Sequence, residues 1–241
     1  MKTLIIIFAS IIAFSADINA QVNSHNLNIA DFHSISCNSR YTVYLKQSNK
    51  EEVRVEAQKE IYEISEFIVK DGVLEINIKK EKSKDKSVLR QIEDIKILPT
   101  LNVYVSIKDV KALQVNGSGK IITENSIASD DLTISIAGSG EMEIDVKGKN
   151  INAKISGPGD LKLSGYANNL DLALSGSGEA EAYEFEVATA SCKLYGAGSA
   201  QLNVSDELTA EIYGNGNIQV KGATKNVTKK IYGYGELERT Y

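Results

Sequence analysis

Seven Gly-x-Gly pairs recur along the second half of the chain. They lie at Gly117-Gly119, Gly138-Gly140, Gly157-Gly159, Gly176-Gly178, Gly196-Gly198, Gly214-Gly216 and Gly233-Gly235. The intervals between first glycines are 21, 19, 19, 20, 18 and 19 residues, and the pairs consume 14 of the 18 glycines. A period of this length marks an array in which one small unit stacks on the next.

The flanks repeat with the glycines. Counted from the first glycine of each pair, positions −6, −4, −2, +4 and +6 are apolar in 31 of 35 cases. The alternate positions −5, −3, −1, +3 and +5 are apolar in only 7 of 35. Period-2 alternation on both sides of a glycine corner reads as strand, tight bend, strand, with one face buried. The four exceptions, Lys111, Thr123, Lys229 and Arg239, fall in the first and last turns, where an array needs polar ends to stay soluble. No single turn buries its own apolar row. Stacking turns ~4.8 Å apart does so and closes the backbone hydrogen bonds. Parallel crossovers favour right-handed winding. The predicted fold is therefore all-β, a right-handed parallel β-helix with about 19 residues per turn.

The paired glycines have a structural reason: a chain that bends sharply at every turn needs positive φ or close backbone approach. A phosphate cradle is excluded, since neither G-x-G-x-x-G nor G-x-x-x-x-G-K-S/T opens a helix here. The net charge of −5 comes without a basic block, which excludes a nucleic-acid surface. Two His and two Cys exclude a multi-ligand zinc site and a dense disulfide framework.

Residues 1–20 read as a secretory signal peptide, with Lys2, an apolar run from Leu4 to Phe14, and Ala20 before the cut. No later stretch is apolar enough to span a bilayer. Residues 21–241 are expected to form one β-helix domain, with the glycine repeats over 113–241. The segment 27–112 carries strand patterns at Tyr41–Leu45, Val53–Val55, Leu74–Ile78 (after an Asp71-Gly72 turn) and Leu101–Val105. Lys79–Lys86 reads as a solvated loop, and Val88, Ile92 and Ile95 have helical spacing. This third is expected to form wider, irregular coils over the first end of the solenoid, a separate small β domain being the alternative.

The runs LQVNGSGKI, AGSGEMEI, SGPGDLKL, SGSGEAEA and YGNGNIQV resemble the auto-transporter adhesin, head GIN domain family of exported bacterial proteins from Gram-negative anaerobes. The resemblance spans about residues 28–238 and includes the opening Phe32–Cys37 segment. It implies an all-β, β-helix-type fold and a cell-envelope or surface location; the signal peptide implies export, with a periplasmic, outer-surface or secreted destination. No catalytic residues carry over. No C-terminal barrel or sorting domain is recognisable, so autotransport by this polypeptide alone is not expected.

Three features are candidates for function. Tyr195, Tyr213 and Tyr232 occupy position −1 in the last three turns, with Tyr234 between the final glycines. Their rings are expected to form an outward ladder and a flat apolar strip, which either only stiffens the rod or contacts a glycan or envelope protein. Glu141, Asp160 and Glu179 occupy +3 in consecutive turns, beside Glu143, Lys162 and Glu181 at +5. That face is either solvated and neutralised by Lys162 or a weak calcium site; no other cofactor is implied. Cys192 falls in an inward column and, like Cys37, reads as a buried thiol, with a disulfide permitted by export. His25 and His33 lie outside the repeats, and no Ser-His-Asp arrangement is visible. The predicted activity is binding or adhesion without catalysis. A ligand-free structural solenoid and a calcium-dependent polysaccharide lyase are the alternatives.

Overall fold

The computed structural model describes residues 22–79 and 101–240. The first part runs β1 (Val22–Leu27), β2 (Ser34–Asn38), β3 (Thr42–Gln47), β4 (Glu52–Gln58), α1 (Lys59–Ile64), β5 (Ser65–Lys70) and β6 (Val73–Ile78). After residue 100 come β7 (Leu101–Ile107), β8 (Ala112–Gly117), β9 (Lys120–Thr123), β10 (Ile127–Gly138), β11 (Glu141–Gly157) and β12 (Asp160–Gly176). The chain closes with β13 (Glu179–Gly196), β14 (Ser199–Gly214), β15 (Asn217–Lys221), β16 (Asn226–Gly233) and β17 (Glu236–Arg239).

The glycine repeats form a β-solenoid of seven coils. From β8 onward every pairing between coils is parallel and, apart from register shifts between Lys162 and Ser164 and between Ala182 and Thr189 at the far bends, links the same position in adjacent repeats. β11 to β14 are 16–18 residues long because each leaves one glycine corner, bends at the far side and returns to the next. The inward columns are buried as the alternation predicts: Ile134, Ile155, Leu174, Leu194 and Ile212 are all closed to solvent, and Cys192 sits among them. Val146, Phe185, Val187 and Val204 complete the core beyond the regular positions.

The first glycine of every pair has positive φ, between +113° and +135°. The second serves a different need. A β-carbon on Gly178 would strike the carbonyl oxygen of Gly159 in the coil beside it.

The N-terminal third departs from irregular coils in an instructive way. β2 lies between β6 and β8, and β3 lies between β7 and β9, all in parallel. Ser34–Gln47 is thus one more coil, inserted in space between two coils that come later in sequence. Its corner carries Ser39 and Tyr41 where the repeats carry glycine, by continuation of the Cys37↔Val115 and Thr42↔Lys120 registers. Tyr41 turns fully inward, with its hydroxyl 2.7 Å from Ser65 Oγ.

Beyond that coil the direction reverses. β4 runs antiparallel to β7, β1 to β4, and β5 to β6. The expected Asp71-Gly72 turn makes the last hairpin, with φ of +51° and +75°. A tight turn of this kind joins antiparallel strands, whereas a solenoid coil must travel round. The result is a curled, half-barrel sheet closed by α1, which buries Ile61. The signal segment and the Val88–Ile95 spacing lie outside the described residues, as does all of the charged run except Lys79.

The other end is barely covered. Ile231 is 36% exposed in the last coil, Val227 and Leu237 are only partly buried, and Lys229 faces solvent from an inward column. Among the described residues no helix is long and apolar enough to cross a membrane.

Candidate functional site

The residue preceding each glycine corner points outward, and parallel pairing aligns these residues into one column. It runs Asn77, Asn38, Asn116, Ala137, Ser156, Ser175, Tyr195, Tyr213, Tyr232 through nine strands. The three asparagines form an amide ladder: Asn116 Nδ2 donates to Asn38 Oδ1 at 2.7 Å, and Asn38 Nδ2 to Asn77 Oδ1 at 2.9 Å. Three small residues follow, and then the three tyrosines.

The tyrosine rings stack with centroids 5.0 Å apart and planes within 6° and 10° of parallel. Both faces of Tyr213 are therefore taken by its neighbours. The free apolar area is concentrated on the outer faces of Tyr195 and Tyr232 and along the ring edges. Exposure follows this pattern, at 45% for Tyr195, 37% for Tyr213 and 59% for Tyr232. Tyr234, at the corner beyond, is 90% exposed. Tyr213 Oη donates to Glu211 Oε2 at 3.4 Å, and Lys230 Nζ lies 3.4 Å from Glu211 Oε1. Partial desolvation, then the Glu211 carboxylate, holds the Tyr213 phenol above its ordinary pKa, so it remains a donor.

The two outward faces of the solenoid differ in charge. Across the +3 and +5 columns stand seven carboxylates and two lysines. Glu141, Asp160 and Glu179 are in register there and line a shallow depression with Glu143, Lys162 and Glu181. They do not converge on a shared point. Among the described residues no group of three or more His, Cys, Asp or Glu is arranged to hold a metal ion. The charge is answered instead by Lys120, 2.9 Å from Glu141 and 2.6 Å from Glu143. Its hydrogen bond to Glu143 holds that carboxyl below the usual range. On the tyrosine face, columns −5, −3 and −1 carry Lys154, Lys193 and Lys230 against Asp171 and Glu211.

Cys37 and Cys192 are both free and buried. Burial, and secondarily the charge of Asp171, pushes the Cys192 thiol up to about 12. His33 Nδ1 lies 2.9 Å from Ser34 Oγ, and His25 stacks on Tyr62 at 3.7 Å. Neither ring is hydrogen-bonded to a carboxylate among the described residues. A second aromatic column, Tyr44 on Tyr104 with Arg54 over the far face, has no periodic signal in the sequence. Its pairing depends on the inserted coil. Both faces of Tyr104 are occupied, which makes this column structural.

Residues 31–224 match the family described as "Putative auto-transporter adhesin, head GIN domain". The chain belongs to that family. Solved structures similar to this head GIN domain chain include one from Bacteroides fragilis described as a "putative adhesin". It has a TM-score of 0.81 and 21% identity over 91% of this chain and 97% of that one. A "putative adhesin" from Parabacteroides merdae has a TM-score of 0.70 and 23% identity over 92% and 98%. A "putative lipid binding protein" from Parabacteroides distasonis has a TM-score of 0.73 and 21% identity over 92% and 98%. At these identities the likeness shows the head GIN domain fold alone. A search of curated proteins finds no match.

Proposed function

We propose that this chain is an exported, non-catalytic binding module of the cell envelope or cell surface, and that the tyrosine ladder is its contact surface. The observation that carries the reading is the placement of four exposed tyrosines at one end of an otherwise polar face. Aromatic rings with a hydroxyl handle suit partners that offer both apolar and polar atoms, as sugars and protein surfaces do. Family membership and relatives described as adhesins support the same reading. A single site of this size binds weakly, and display of many copies multiplies its strength.

The test replaces Tyr195, Tyr213 and Tyr232 together with Ser and verifies folding by circular dichroism. Binding is then measured to glycans, peptidoglycan, lipid vesicles and the parent cell surface. A folded variant is expected to lose binding that the parent shows. Equal binding by both proteins would make the ladder a structural device.

A further inference from the structure

The ladder stops abruptly at Tyr195. The next residue in its column is Ser175, with Ser156 after it. A ring with an apolar face standing over Ser175 would extend the ladder by one rung, stacked on the free face of Tyr195. Two residues back along these same strands, the parallel column reads Lys154, Ala173, Lys193. Ala173 has no side chain beyond its β-carbon beside Ser175, and a lysine stands on either side of it. Among the described residues neither Lys154 nor Lys193 lies within ion-pair distance of a carboxylate, whereas Lys230 in the same column is held by Glu211. The notch thus combines an aromatic wall, a hydroxyl floor and two cations that form no direct ion pair among the described residues, Lys193 having Glu211 as its neighbour in the column. The sheet beneath it is fully paired, so no backbone edge is offered to an extended peptide.

We infer that this notch takes an acidic sugar unit of a polysaccharide, with its pyranose ring on Tyr195 and its carboxylate between Lys154 and Lys193. Charge complementarity selects the occupant: the opposite face carries seven carboxylates against two lysines and repels the same ligand. A carboxylate in the notch receives charge-assisted hydrogen bonds from the flanking ammonium groups. Asp171, two residues before Ala173 in the same strand, and Glu211, beside Lys193 in its column but held by Lys230, are the acids nearest the notch and weaken the site. The inference rests on the tyrosine face being the contact surface.

Polygalacturonate and its fully methyl-esterified form provide the probes, because they share a backbone and differ in free carboxylate. The parent is expected to bind polygalacturonate at least about tenfold more tightly, with the difference shrinking as salt is added. Lys154→Gln with Lys193→Gln should abolish the preference, Asp171→Asn should strengthen it, and Lys162→Gln on the opposite face should leave it unchanged. Tyr195→Ser should weaken both polymers. Equal binding of the two polymers, or a preference that survives the double lysine change, overturns the acidic-sugar inference and leaves the ladder reading standing. No binding of either polymer by a parent that binds other partners through its tyrosines does the same. No binding to any partner overturns both.

Discussion

Gly117 and Gly176 hold similar backbone conformations, at φ +122° and +129°, yet a β-carbon meets different surroundings at each. At Gly117 nothing lies within 4 Å; at Gly176 the carbonyl oxygen of Gly157 would be 2.6 Å away. Gly117→Ala should therefore cost only backbone strain, about 1–2 kcal/mol. Gly176→Ala adds a clash with a neighbouring coil that cannot retreat without breaking its own hydrogen bonds. Urea melts should show the second variant clearly less stable, and equal losses would refute the close-approach account. The same contrast applies across the sheet. Leu174 is closed to solvent, so Leu174→Asp should cost several kcal/mol, while outward Ser175→Asp should change stability by less than about 1. Cys192 adds a pH effect. Below its ordinary value of 9.0 the thiol is protonated in both states and contributes no pH dependence. Between there and about 12 only the unfolded thiol ionises, so stability falls with rising pH by up to ~1.4 kcal/mol per unit. Cys192→Ala should flatten the alkaline limb of stability against pH relative to the parent.

At the scale of elements, the last coil shows how an exposed edge is kept from pairing. β16 and β17 present unpaired backbone, with Val227, Ile231 and Leu237 incompletely covered. Lys229 stands in the column of Ala210, and Arg239 donates from Nη2 to Thr224 O at 2.7 Å. Charges in inward positions discourage another strand from docking. Lys229→Ile with Arg239→Val should thus raise self-association in sedimentation velocity; an unchanged profile would mean that other features guard the edge. These two positions, like the whole repeat array, were legible in the sequence because alternation and period are local signals. The inserted coil was not, since Ser39 and Tyr41 replace its corner glycines and its neighbours lie far away in sequence. The six-residue helix α1 was too short for a periodic signal. The tyrosine column was readable from the count alone. Which ring faces remain free was not, because that depends on how closely neighbouring rings approach.

The whole molecule behaves as a stack in which each coil contacts only its neighbours, and this makes it divisible at the coil but not at the residue. Excising residues 134–152 removes 19 residues and joins Thr133 to Ala153. Ala153 then occupies the place of Ile134 opposite Leu113, and Gly157 takes the corner of Gly138 opposite Gly117. In the surface ladder, Asn169, which donates to Asn150 at 2.8 Å, would meet Asp131 directly, as Asn150 does now at 2.7 Å. Every inward column survives, and the expected loss is that of one coil, roughly 1–3 kcal/mol at typical stability per residue. Excising residues 134–151 differs by one residue and has the opposite consequence. Asn152 then turns inward, while Ala153 and Ile155 face solvent, because a slip of one flips every side chain of a strand. Thermal melts followed by circular dichroism should show a cooperative transition for the 19-residue excision and none, or one at far lower temperature, for the 18-residue excision. Comparable transitions in both would mean that the corner absorbs a one-residue slip, and that the stacked register is not what specifies the fold.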